Sequence, residues 1–150
     1  ANRNHSIYSS YGYPVLADED DSFSGPLAGF MVGLKACKTP FLLTVPCDSP
    51  LFPLDLANQL AVSLETNQVK IGYASSQDTT GKIWAQPVFC LMHKDLLGSL
   101  KNFLESGERK IDRWFAQENA YSVLFPKEKA FTNANTPEEL AQLESLADSY

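Results

Sequence analysis

Residues 41 to 50 read Phe-Leu-Leu-Thr-Val-Pro-Cys-Asp-Ser-Pro. An apolar run ends in a carboxylate, Asp48, fenced by Pro46 and Pro50. At the mouth of a strand a carboxylate either caps a local turn or holds a cation. Asp18 repeats the pattern at the end of Tyr-Pro-Val-Leu-Ala-Asp (13–18), and each aspartate stands ahead of a helical segment. If the two strands are neighbours, both carboxylates reach one rim. A hard cation such as Mg²⁺ takes one or two carboxylates together with substrate phosphate oxygens. Beyond Asp18, Gly25-Pro26 opens a helix whose free N–H groups and positive dipole end suit an anion or a polar ring. The alternative for each aspartate is an N-cap or turn residue, and Glu19-Asp20-Asp21 reads as a solvated loop.

The elements that must position these groups follow from hydrophobic period. Residues 13–18 read as a short buried strand. Leu27, Phe30, Met31 and Leu34 follow the i, i+3, i+4, i+7 spacing of a helix face. The run 41–46 is continuously apolar, as in a parallel strand covered on both faces. Pro53 opens a helix with Leu56, Ala57, Leu60, Ala61 and Leu64 on one side. Strands follow at 69–75 and 85–93, joined by a polar turn at Gln77 to Gly81. Pro87 cannot donate to a ladder, so the second of these strands lies at an edge or bulges there. Helices are expected over 95–105 and around Ile111, Trp114 and Phe115, with a break at Ser106-Gly107, and then a strand over 120–126. Thr136-Pro137-Glu138-Glu139 is a capping box that opens the last helix. The order predicts an α/β fold, a single domain over 1–150 with a mixed, mainly parallel sheet and helices on both faces. Ligands in such sheets gather outside the carboxyl ends of the strands.

Bulk properties narrow the function. The chain has 150 residues and a hydrophobic share of 44%, enough for a sizeable core. A net charge of -6 gives no footprint for nucleic-acid binding. A small anionic ligand remains open, since local dipoles and a metal can hold it. Cys37, Cys47 and Cys90 are an odd set without C-x-x-C spacing, which points to a reducing cytoplasm and to small buried fillers. His5 and His93 are too isolated for a zinc site, and no apolar run reaches membrane-spanning length. Trp84 and Trp114 read as packing residues.

Four motifs, Ser-Gly-Pro-Leu-Ala-Gly-Phe (24–30), Val-Pro-Cys-Asp-Ser-Pro (45–50), Glu-Ser-Gly-Glu-Arg-Lys (105–110) and Phe-Thr-Asn-Ala-Asn-Thr-Pro-Glu-Glu-Leu (131–140), occur in order along nearly the whole chain. Together they resemble the molybdenum cofactor guanylyltransferases, which join GMP from GTP to molybdopterin and release pyrophosphate. The resemblance implies a three-layer, Rossmann-like nucleotidyltransferase fold, with Mg²⁺ as cofactor and GTP and molybdopterin as substrates. It makes Asp48 the metal ligand and Asp18 a second acidic position near the nucleotide. Gly25 belongs to the base and ribose pocket, and Arg109 lies near the pterin or its phosphate. Asn133 and Asn135 are a polar pair lining the active site, while Asn2 and Asn4 are a looser match to polar residues after the family's second strand. Molybdoenzyme apoproteins or their chaperones are implied partners. The turn reading of Asn133 and Asn135, and a solvated helix start for Arg109 and Lys110, stand beside these roles.

The family opens with a glycine-rich segment of the type L-A-G-G-x-S-x-R-M-G followed by a lysine, and this sequence contains none. The fold is therefore expected to be N-terminally truncated, the isolated chain inactive, and an exposed sheet edge to drive homo-oligomerisation. A related cytidylyltransferase or sugar-phosphate nucleotidyltransferase, and a non-catalytic module binding molybdopterin or a partner, are the alternatives.

Overall fold

The computed structural model describes residues 5–17, 25–126 and 128–147. Two compact units divide the chain: Ala1–Leu42 with His93–Trp114, and Leu43–Met92 with Phe115–Tyr150.

The first unit is built on helices. A short α1 (His5–Ser9) is followed by α2 (Pro26–Ala36), which starts on Pro26 with Gly25 at its N-cap. Gly25 has φ 86°, a conformation that L side chains rarely adopt. On α2 the stripe read from the sequence is the buried one: Leu27, Phe30, Met31 and Leu34 are each 5% exposed or less. It packs on α4 (Leu97–Glu105), entered through a 3₁₀ turn at Lys94–Leu96 and buried through Leu100, Phe103 and Leu104. Each such side chain stabilises by about 1.5–3 kcal/mol on leaving water. Trp114, on α5 (Ile111–Gln117), is fully buried, and its indole N–H donates to Ser99 Oγ at 3.2 Å.

A mixed sheet organises the second unit, with strand order β1-β3-β2-β4. The strands are β1 (Phe41–Thr44), β2 (Ile71–Gln77), β3 (Ile83–His93) and β4 (Tyr121–Phe125). β2 runs parallel to β4 and antiparallel to β3. Lys94 N donates to Pro40 O while Thr44 Oγ1 donates to Val88 O, so β1 also opposes β3. Three strands thus point one way and β3 the other. Helix α3 (Leu56–Asn67) covers β2 and β4 with Leu56, Leu60 and Leu64. Phe89, Phe125 and Phe131 complete that core, with Phe131 edge-on to both other rings. The last helix, α6 (Pro137–Ala147), carries its capping box. Thr136 Oγ1 accepts from Glu139 N at 3.2 Å, and Glu139 Oε2 accepts from Asn135 N at 2.7 Å.

Several expectations need correction. Residues 13–17 form no strand: Tyr13 is 77% exposed and Leu16 44%, and Pro14 supplies no ladder donor. β1 is not covered on both faces. It lies at the sheet edge, leaving Phe41, Leu43 and Val45 at 45%, 37% and 40% exposure. The α3 helix begins at Leu56, not Pro53, whose carbonyl instead closes a turn onto Leu56 N. Its Ala57 and Ala61 face solvent, and Ser63 takes the buried place. Among the cysteines only Cys90 is buried, and Cys47 is exposed. Burial pushes the Cys90 thiol far up, so it stays protonated.

Candidate functional site

Beyond β1 the chain turns through Pro46 and Cys47, and Asp48 sits half-buried four residues past the strand's end. A rigid turn between two prolines fixes where its carboxylate can reach. This loop is tied to the segment that precedes α6. Ala134 N donates to Asp48 O at 2.7 Å, and Ser49 Oγ donates to Asn133 Oδ1 at 2.7 Å. The long-range pairing of P-C-D-S-P with N-A-N-T-P is what the sequence could not display, because 84 residues separate Ser49 from Asn133.

The geometry therefore brings three of the sequence-selected residues together within the second unit: Asp48, Asn133 and Asn135. Asn135 is held by its backbone N–H on Glu139 and is exposed just ahead of α6. Gly25 and Arg109 belong to the other unit. Gly25 heads α2, where an added Cβ would meet nothing within 4 Å, and its carbonyl accepts from Ala28 N at 3.2 Å. Arg109 is half-buried, and its Nη1 donates to Leu104 O and Glu108 O, both at 2.6 Å. The first bond caps the carboxyl end of α4 and the second holds the loop after it, so Arg109 is not the solvated helix start read from sequence. Glu108 pairs instead with Arg113, at 2.6 Å. Asp18, Asn2 and Asn4 lie outside the described residues.

The Asp48 carboxylate makes no hydrogen bond or ion pair among the described residues. No group of three or more His, Cys, Asp and Glu forms a closed cage among them. One open carboxylate fits a hard ion that draws its remaining ligands from water and phosphate, and does not fit a structural zinc.

Next to this loop lies an apolar cavity of about 680 Å³, walled by Phe52, Pro53, Leu54, Phe125 and Ala130, with Asp55 and Gln59 at its polar side. Asp55 Oδ2 accepts from Gln59 Nε2 at 2.6 Å. Sequence reading missed this hollow and also Ser49, since neither has a motif of its own. Nothing in the sequence marks Ser49: its burial, at 2% exposure, and its hydrogen bond appear only in the fold.

The class of the domain is nucleotidyltransferase-like. Residues 1–121 match the family model described as the MobA-like NTP transferase domain. The chain is 59% identical to the molybdenum cofactor guanylyltransferase of Polynucleobacter asymbioticus, over 97% of this chain and 72% of that protein. It is 50% identical to that of Bordetella petrii, over 95% and 72%. It belongs to the molybdenum cofactor guanylyltransferase family. The crystal structure of molybdopterin-guanine dinucleotide biosynthesis protein A from Archaeoglobus fulgidus superimposes with a TM-score of 0.71 at 19% identity, covering 97% of this chain and 73% of that one, which shows the shared fold. No helix among the described residues is long and apolar enough to cross a membrane.

Proposed function

We propose that the protein transfers GMP from GTP to molybdopterin and releases pyrophosphate. Family membership supports the reaction, and the observation that carries the site is the open carboxylate of Asp48, anchored beside Asn133. In this reaction an oxygen of the molybdopterin phosphate attacks the α-phosphorus of GTP. The bond from that phosphorus to the bridging oxygen breaks, and pyrophosphate carries the electron pair away. The nucleophile is already anionic, so the chain need supply no strong base. Its task is in-line placement and stabilisation of charge.

Asp48 would hold a divalent cation, with Mg²⁺ the fitting choice for an oxygen-only donor set. Such an ion would neutralise charge on the phosphates. Asn133 and Asn135 would donate their amide N–H groups to phosphate or pterin oxygens. The α2 N-terminus at Gly25 would face the nucleotide, with Asp18 and Asn2 near it, and Arg109 would stand near the pterin end. The three free thiols fit a cytoplasmic setting. The exposed β1 edge would favour a homo-oligomer.

The test is turnover of GTP and molybdopterin to the dinucleotide by the intact protein. Asp48→Ala should lower transfer by about a thousandfold while leaving the circular dichroism unchanged. Excess CTP should compete poorly with GTP. Retained transfer in the variant would remove Asp48 from the chemistry, and equal use of CTP would overturn the guanylyl assignment.

A further inference from the structure

We propose that Ser49 is a positioning residue: its buried hydroxyl holds the acceptor end of the Asn133 amide, which leaves the donor end for the ligand beside Asp48. The inference rests on the site reading above and deepens it.

An asparagine amide presents an acceptor at one end and two N–H donors at the other, and unrestrained it can offer either. Substrates rich in phosphate oxygens need the donor end. A hydroxyl can serve either end, and here it serves the acceptor end. Ser49 Oγ, in a residue 2% exposed, donates to Asn133 Oδ1 at 2.7 Å. The acceptor end of Asn133 is thereby taken by the protein. Asn133 Nδ2 has no partner among the described residues, so both its N–H groups are left for a ligand.

Backbone contact keeps the arrangement in register. Ala134 N donates to Asp48 O at 2.7 Å, immediately beside the Ser49–Asn133 bond. The two bonds join consecutive residues of one loop to consecutive residues of the other, so neither loop can turn without breaking both. Asp48 and the Asn133 donors are thus held at a fixed offset, a carboxylate for a cation next to N–H groups for the anion it accompanies. Pro50 stiffens the loop directly after Ser49 and limits the ways in which it could relax. Ser49 touches no ligand in this scheme and acts only through Asn133.

A double-mutant cycle in the intact protein tests this, with kcat, KM for GTP and thermal midpoint measured for each variant. Asn133→Ala should lower kcat/KM by about 10- to 100-fold, and Ser49→Ala by about tenfold. The double variant should be no worse than Asn133→Ala alone, because Ser49 has nothing left to orient. Asn133→Asp keeps an acceptor for Ser49 but loses the donors, so it should match Asn133→Ala. The thermal midpoint should fall less for Ser49→Ala in the Asn133→Ala background, where the buried hydroxyl has already lost its partner, and kcat/KM read well below every midpoint separates orientation from folding. Additive losses in kcat/KM, or an active Asn133→Asp, would overturn the inference. Asp48→Ala serves as the reference. If it too is active, the underlying site reading fails; if it is dead while the cycle is additive, only the role of Ser49 fails.

Discussion

A single carboxylate can stand out in sequence or stay opaque for want of its partners, and Asp48 and Asp78 illustrate the two cases. Asp48 stood out because a charge closes an apolar run, although the fold leaves it half-buried in a loop beyond a half-exposed edge strand. Ser49 did not, since its partner is remote in the chain. Asp78 was read only as part of a polar turn, yet it organises the β2–β3 hairpin. One of its oxygens accepts from Thr80 N, Thr80 Oγ1 and Lys82 N, and the other accepts from Trp84 Nε1 at 2.9 Å. Lys82 Nζ lies 3.7 Å from the centroid of the Trp84 ring. The Thr80 hydroxyl first, then the Trp84 indole, hold the Asp78 carboxyl down to about 2, below the usual 3.8. A lowered folded value means that the charged form favours the hairpin. Its contribution is therefore complete above the unfolded value and is lost as pH falls from near 3.8 toward 2. The indole N–H resonance of Trp84 should titrate with a midpoint near 2, and Asp78→Asn should abolish that titration. A midpoint near 4 would mean that the carboxylate is simply solvated.

At the scale of elements, period and proline chemistry carried most of what could be read. Pro87 demanded a bulge or an edge, and the bulge is there: Tyr73 faces Cys90 but Ala74 faces Gln86, which puts Pro87, Val88 and Phe89 out of register with β2. The strand is nonetheless interior, so the bulge alone accommodates the missing donor. An apolar run could not disclose whether both faces are covered, because burial depends on neighbours in the sheet. β1 has only β3 beside it and remains half-exposed. Nor could sequence show how closely α3 rides on β2. The reason for glycine at position 72 lies there. A Cβ on Gly72 would stand 2.6 Å from Leu64 Cδ1 and 3.7 Å from Leu60 Cδ2. Gly72→Ala should therefore destabilise by about 1–3 kcal/mol in urea denaturation, through overpacking rather than backbone strain. Leu64→Val removes the clashing methyl, so the double variant should be more stable than the sum of the single losses. Simple additivity would show that the helix and strand separate freely at this point.

At the scale of the whole molecule, family membership was legible because four motifs recur in order across most of the chain, a pattern no single element could fake. The matched relatives are longer, with this chain spanning 72% of their length in the two comparisons given. Charge raises a different question. There are 12 Lys and Arg against 18 Asp and Glu, a formal net charge of -6, while the proposed substrates are anions. A protein that captures phosphate by its overall field is basic and loses affinity as salt rises. Here the long-range field repels the proposed substrates, and attraction would have to come from short-range groups such as the Asn133 donors and the cation proposed at Asp48. Screening weakens the distant repulsion more than those close contacts, since the Debye length shrinks from about 30 Å at 0.01 M salt to about 8 Å at 0.15 M. The association rate of GTP, followed by stopped flow at constant free Mg²⁺, should thus rise modestly over that range, and the dissociation rate should change little. A fall of severalfold would mean that a local positive cluster steers the nucleotide, and the neutral-donor description of the site would have to be abandoned.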